Sequence, residues 1–209
     1  MIILHHLNNS RSQRILWLLE ELGLPYRIER YARDPQTMLA PPALRAVHPL
    51  GKSPVIEAEG QVLAESGAIV EALVERHGGS LLAVPAVGPL RDRYRYWLHF
   101  AEGSLMPPLL LKLHALRLGA AAAPMLARVD AQLADLLGFV EAELGEAPWF
   151  LGEAFSAADI QMSFPLEAAA ARGGLDARFP RLQAWLARAQ ARPAYQRALA
   201  AGGPYALLK

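Results

Sequence analysis

Three short polar stretches in the first third of the chain carry side chains that could do chemistry. Asn8-Asn9-Ser10-Arg11-Ser12-Gln13-Arg14 offers three amides, two hydroxyls and two guanidiniums in succession. His48-Pro49-Leu50-Gly51-Lys52-Ser53-Pro54 adds a cation and a Ser-Pro bond, and Glu65-Ser66 sets a carboxylate beside a hydroxyl. In a compact αβ sheet the loops at one edge converge, and helix N-termini there carry about half a positive charge and unsatisfied N–H donors. Such a site suits an anionic ligand, or a thiol that must become a thiolate. A hydroxyl donating to that thiolate lowers its pKa from ~8.5 toward neutrality. The chain has no cysteine, so the thiol would belong to a substrate.

Each piece also has a plainer reading. Ser10 and Gln13 fit a capping box, S-x-x-Q, and Ser66 fits a helix N-cap. Lys52 alone reads as a solvated lysine. Ser156-Ala157-Ala158-Asp159 is a second capping box, read as structural. Other motifs fall away. Ala46–Ser53 resembles a degenerate phosphate loop, but that loop must run straight into a helix, whereas Pro54 holds Ser53 extended and a strand-like "VIEAE" follows. His5 and His6 are neighbours on a strand and so point to opposite faces. His48, His77, His99 and His114 lack zinc-like spacing, so no metal is expected.

The elements that would position the three stretches follow from periodicity. Ile2-Ile3-Leu4 reads as a short buried strand, and the stripe Ile15, Leu16, Leu18, Leu19, Leu22 as a helix ended by Gly23-Leu24-Pro25. "YRIERYA" reads as a second strand, and Asp34-Pro35 as a helix start. Two apolar runs around Glu59-Gly60 predict a hairpin, and Ser66 opens a helix ending in paired glycines. The order β-α-β-α-β-β-α implies a mixed sheet with helices on its faces. "LLAVPAVGPL" reads as a linker, beyond which strand signals vanish. Val129, Leu133, Leu136, Leu137, Val140 and Leu144 form one helical stripe, and Leu182, Trp185, Leu186 and Ala189 another. The expected organisation is therefore an α/β domain over 1–79, a linker over 80–89 and an all-helical domain over 90–209.

Composition narrows the class. Of 209 residues 53% are hydrophobic and the formal net charge is +1 without a block of like charges, so no nucleic-acid partner is expected. There is no signal-peptide pattern and no run of ~20 uninterrupted apolar residues, so the expectation is a soluble cytoplasmic protein without a membrane partner.

"SRSQRILWLLEELGLPY", "HPLGKSPVIE" and "LAESGAIVEALVERHG" resemble the three N-terminal signatures of the glutathione S-transferases. "FLGEAFSAADIQMSF" is similar to the capping-box segment of their helical domain. The resemblance covers nearly the whole chain and is nearest to a bacterial and fungal branch with "HPLGKSP" after a double proline. It implies a thioredoxin-like N-terminal domain with a mixed four-stranded sheet, an all-α helical-bundle C-terminal domain, and a homodimer. It also implies glutathione as co-substrate without a metal, a cis bond between Ser53 and Pro54, and pairing of the Ser53 backbone with the cysteinyl unit. Glu65 and Ser66 would grip the γ-glutamyl group and Lys52 the glycine carboxylate. The thiol-activating residue stands four or five positions before the helix-1 arginine, taken as Arg14, which gives Ser10 or Asn9. With no tyrosine in this loop and no cysteine anywhere, tyrosine-type and cysteine-type members are excluded. Ser10 is the first choice and Asn9 the alternative.

The second substrate implied is a small hydrophobic electrophile, expected between the domains over the first helix of the helical half. There "FAEGSLMPPLLLKL" supplies Ser104, Met106 and Leu110 around a helix-disturbing proline pair. Plain helix packing is an equal reading of those three. The implied chemistry is attack of the glutathione sulfur on an electrophilic carbon, as in detoxification. A peroxide oxygen or disulfide sulfur as target, or a non-catalytic glutathione-binding or regulatory role, are the alternatives.

Overall fold

In the computed structural model, which describes residues 1–78 and 84–208, the opening apolar run extends into a six-residue strand, β1 (Ile2–Leu7). The amphipathic stripe forms α1 (Ser12–Leu22), ended by Gly23 at φ 61°, the left-handed conformation that glycine adopts without steric cost. β2 (Tyr26–Tyr31) returns parallel to β1, with Leu7 opposite Tyr31. After a five-residue α2 (Ala43–Val47), β3 (Val55–Ala58) pairs antiparallel with β1 and with β4 (Gln61–Ala64). The hairpin turn has positive φ at both Glu59 (53°) and Gly60 (75°), the twist that matches two antiparallel strands. α3 (Ser66–His77) completes a mixed four-stranded sheet of order β2-β1-β3-β4.

The expected helix at Asp34-Pro35 is a turn instead. Asp34 Oδ1 accepts from the N–H groups of Gln36 (3.0 Å) and Thr37 (2.7 Å) and from the Thr37 hydroxyl (3.0 Å). A short acidic side chain that captures the backbone this way competes with helix formation.

Contacts group the chain into two units, Met1–Ala83 with Ala191–Ala206, and Val84–Gln190 with Leu207–Lys209. Part of the expected linker, 80–83, lies outside the described residues, as does residue 79 at the end of the expected first domain. The second unit also differs from a domain running over 90–209, because α9 (Pro193–Gly202) belongs with the first. The reason is visible on α1. Trp17 meets Tyr195 edge to face at 5.1 Å, Arg192 pairs with Glu21 at 2.6 Å, and Arg197 with Glu20 at 2.7 Å. Gly202 fits because it has no side chain. A Cβ there would stand 2.7 Å from Gln13 Oε1 and 3.0 Å from Leu16 Cδ1.

The second unit is helical: α4 (Pro89–Phe100), α5 (Met106–Ala115), α6 (Ala123–Leu144), α7 (Ala157–Ala168) and α8 (Pro180–Gln190). Between α4 and α5 one π-helical turn spans Ala101–Leu105, with the Met106 N–H reaching Ala101 O. Pro107 and Pro108 have no N–H to offer the preceding carbonyls, so the register widens by one residue there. Val129, Leu133, Leu137 and Val140 of α6 and Leu182, Trp185, Leu186 and Ala189 of α8 are buried, as their periodicity predicts. Trp97, Phe150 and Trp185 pack through this core as tilted pairs, with centroids 4.7 and 5.3 Å apart.

The second capping box forms in full, and around it lies a buried carboxylate. Asp159 Oδ1 accepts from Phe150 N–H (3.0 Å) and Trp185 Nε1–H (3.1 Å), and Oδ2 from Ser156 N–H (2.9 Å) and the Ser156 hydroxyl (3.1 Å). Burial pushes the Asp159 carboxyl up to about 6, against these four donors, which favour the anion.

Candidate functional site

Sheet topology brings the three polar stretches of the first unit to one edge. β1 ends at Leu7 where β3 begins, since His5 is opposite Val55, and Val55 is opposite Ala64 at the end of β4. The loop after β1, the segment before β3 and the start of α3 therefore share one end of the sheet. Three hydrogen bonds hold them. The Ser53 hydroxyl donates to His5 O (2.8 Å) and accepts from Leu7 N–H (3.2 Å). Arg14, buried on α1, donates to the Ser66 hydroxyl at 3.3 Å.

The Ser53–Pro54 bond is cis. Among the described residues no hydrogen bond engages the Ser53 backbone N–H or C=O, so both remain available to an extended partner. Lys52 beside it is exposed. Glu65, exposed at the N-cap of α3, has φ 70° and ψ 115°. Backbone of this kind in a glutamate costs on the order of 1–3 kcal/mol and persists where its surroundings impose it, commonly at functional sites.

Ser10 and Asn9 sit differently. Ser10 is 6% exposed. Its hydroxyl donates to Leu7 O at 2.7 Å, lies 2.8 Å from the Ser12 hydroxyl and accepts from Ser12 N–H at 3.2 Å. Its single proton is thus directed inward. The S-x-x-Q box is not formed: Arg11 occupies the N-cap of α1 without a side-chain cap, and it is the Ser10 carbonyl, not its hydroxyl, that meets Gln13 N–H (3.2 Å). Ser12, fully buried, passes the chain of bonds on to His6 Nδ1 at 2.8 Å. Burial, with a smaller contribution from Arg30, pulls His6 down to about 4, while a bond with the Gly202 backbone opposes this. His6 is therefore neutral at pH 7.

Asn9 is half-buried with φ 51°, a left-handed conformation that asparagine tolerates. Its Oδ1 accepts from Ala206 N–H at 2.7 Å. The NH2 end of the same amide has no partner among the described residues and can donate to a ligand.

One residue at this edge escaped the sequence reading. Arg33, just past β2, donates from Nε to Asn8 O (3.1 Å) and from its terminal nitrogens to Asn9 O (3.3 Å) and Met38 O (3.0 Å). Its own N–H donates to Asn8 Oδ1 at 3.0 Å. Arg33 thus fixes the loop that carries Asn9. Burial, and then the charge of Arg11, lower the Arg33 pKa, so a second guanidinium lies close by. What places it is the parallel pairing of β1 and β2, which carries the residues after Tyr31 alongside those after Leu7 and leaves no local signal in the sequence.

In the second unit Met106 is 1% exposed and packs inside the helical core, which is the helix-packing reading of that residue. Ser104 and Leu110 are half-buried.

Residues 10–76 match the family described as glutathione S-transferase, N-terminal domain, and residues 124–188 match its C-terminal domain. Glutathione S-transferase 3 of Schizosaccharomyces pombe is 39% identical over 183 residues, covering 81% of this chain and 74% of that protein. Glutathione S-transferase 1 of Saccharomyces cerevisiae is 33% identical over 208 residues, covering 89% and 88%. The crystal structure of a glutathione S-transferase from Actinobacillus pleuropneumoniae superposes with TM-score 0.90 at 33% identity, covering 99% of this chain and 94% of that one. That of a family member from Pseudomonas fluorescens with two glutathione bound gives 0.80 at 29%, covering 94% and 91%.

Proposed function

The chain belongs to the glutathione S-transferase family, with its thioredoxin-like and all-helical domains, and on that premise we propose that it binds glutathione at the loop edge of the first unit and activates its thiol for attack on small hydrophobic electrophiles. The observation that carries this reading is the convergence of the cis Ser53–Pro54 segment, the Glu65–Ser66 turn and the Asn9 loop at that edge. Glutathione bound in the Pseudomonas fluorescens relative supports it.

Each part of the tripeptide has a chemically matched partner. The Ser53 backbone offers a donor and an acceptor to the extended cysteinyl unit. Glu65 and the Ser66 hydroxyl meet the ammonium and carboxylate of the γ-glutamyl group, and Lys52 the glycine carboxylate. Arg14 acts through Ser66 and is a positioning residue. The cysteinyl sulfur faces the start of α1. There we assign the outward amide N–H of Asn9, with the helix N-terminus, to stabilise the thiolate, and assign Ser10 to hold the loop. The enzyme then contributes orientation and a lowered thiol pKa, and the sulfur attacks the electrophile directly.

Titration of the bound thiol tests the assignment. Asn9→Ala is expected to raise its pKa by about one unit, equivalent to about 1.4 kcal/mol. Ser10→Ala is expected to move it less, and Glu65→Ala to weaken glutathione binding about tenfold with the pKa unchanged. A larger pKa rise in Ser10→Ala than in Asn9→Ala would return the role to the serine. No retention on immobilised glutathione, with no turnover of an aryl halide, a hydroperoxide or a mixed disulfide, would overturn the enzymatic reading. The relative rates on those three probes identify the reaction.

A further inference from the structure

The chain reversal between α5 and α6 combines exposed apolar side chains with an unusual absence of acids. From Gly103 to Val129 there is no aspartate or glutamate, and the titratable side chains are Lys112, His114, Arg117 and Arg128. Leu111 (44% exposed), Leu116 (50%), Leu118 (65%) and Met125 (46%) are four of the thirteen exposed large apolar side chains among the described residues, gathered within fifteen positions. Around them Gly119-Ala120-Ala121-Ala122-Ala123 adds small residues, of which only Ala122 is buried.

The stretch Pro89–Leu144 contains an 18-residue window long and apolar enough to cross a membrane, and only 17% of that window is buried. Crossing is ruled out by geometry. Gly119, at φ 61° and ψ −141°, breaks the helix, and the chain turns back so that α6 packs along α5. The sequence-based expectation of no membrane partner rested on the lack of a spanning segment, and this surface departs from it. A segment can also lie on a bilayer when leucines and methionines sit among cations.

The charges favour one sign of partner. Lys112 is taken up by Asp130 at 2.7 Å. Arg117 and Arg128 have no acidic partner among the described residues, and each cation near an anionic bilayer strengthens binding severalfold. From Leu113 to Ala127 the only polar side chains are His114 and Arg117. The surface therefore offers little directional hydrogen bonding, which suits a fluid lipid surface better than a structured protein epitope.

We propose that residues 111–128 form a docking surface for an anionic lipid bilayer, with Leu116, Leu118 and Met125 entering the headgroup region and Arg117 and Arg128 facing lipid phosphates or carboxylates. Flotation of the full chain with vesicles tests this. Binding is expected to vesicles of phosphatidylcholine mixed with phosphatidylserine, to fall with rising salt, and to be weak with phosphatidylcholine alone. Leu116→Glu with Leu118→Glu, and separately Arg117→Glu with Arg128→Glu, should each weaken it by roughly tenfold or more. Both pairs should retain the unfolding midpoint and glutathione binding of the parent. No flotation with anionic vesicles would overturn the proposal, as would flotation unaffected by either pair. So would a halved molecular mass of the leucine pair by light scattering with flotation intact, which would identify a second copy of the chain as the occupant.

Discussion

Each unit buries a polar network at the start of a helix, and the two are built in opposite ways. In the second, four donors converge on one carboxylate, Asp159, which lies on the helix it helps to cap. In the first, Leu7 O, Ser10, Ser12 and His6 form a chain of neutral groups running from the loop after β1 to the Gly202 backbone. A convergent network depends on its central group. A chain of neutral groups loses one link at a time, and its outer end can adjust when a ligand binds.

The largest expected effect follows from that contrast. Asp159→Ala leaves the N–H groups of Phe150, Ser156 and Trp185 buried together without an acceptor. At about 1–3 kcal/mol for each unsatisfied buried donor, the second unit should lose roughly 4 kcal/mol or more. Ser12→Ala removes one link between Ser10 and His6 and should cost about 1 kcal/mol. Urea unfolding of both variants checks the ratio. Equal losses would mean that the two networks do the same work.

Their pH responses should oppose each other. Asp159 is raised from 3.8 to about 6, so its charged form is the disfavoured one in the fold, and stability falls as pH rises from about 4 to about 6. His6 is lowered from 6.5 to about 4, so its stabilising contribution is complete above the unfolded value and is lost as pH falls from 6.5 toward 4. Each shift is roughly two units, about 3 kcal/mol at its limit. The parent should therefore show a nearly flat stability between about pH 4 and 6. His6→Gln should expose the downward slope with rising pH, and Asp159→Asn the upward one. Unfolding midpoints across that range, with both variants sloping the same way, would refute the opposition.

The same contrast explains what could be read from the chain alone. Ser156 and Asp159 are three residues apart, and the bonds that make them a box are local, so the pattern could be recognised directly. Ser10 and Gln13 have the same spacing, but the Ser10 hydroxyl meets Leu7 O and Ser12, and Gln13 lies against Gly202, almost the length of the chain away. Spacing cannot show a partner so distant. The positions of the strands, the hairpin and both helical stripes were legible because hydrophobic period and turn chemistry are local. The placement of α9 on α1 was not, since Tyr195, Arg192 and Arg197 look like any amphipathic surface until Trp17, Glu21 and Glu20 are beside them. Lys52, Ser53, Glu65 and Ser66 could be named from their motifs. Arg33 could not, because its role depends on a register between parallel strands.

Two glycines offer the finest test of how tightly each unit is packed around its helices. Gly202 closes the His6 chain, and a methyl there would stand 2.7 Å from Gln13 Oε1, 3.0 Å from Leu16 Cδ1 and 3.4 Å from His6 Cε1. Gln13 can swing but Leu16 is buried, so Gly202→Ala should destabilise by about 1–2 kcal/mol. Gly138, in the middle of α6, has nothing within 4 Å of where its Cβ would be. Gly138→Ala should instead stabilise the helix by about 0.5–1 kcal/mol, because alanine has less backbone freedom to lose on folding. The signs differ although the substitution is the same, and thermal unfolding of the two variants side by side resolves them. A neutral Gly202→Ala would mean that α9 can draw back from α1 by a few tenths of an ångström. Its close approach would then be incidental to the position of His6 beneath the loop.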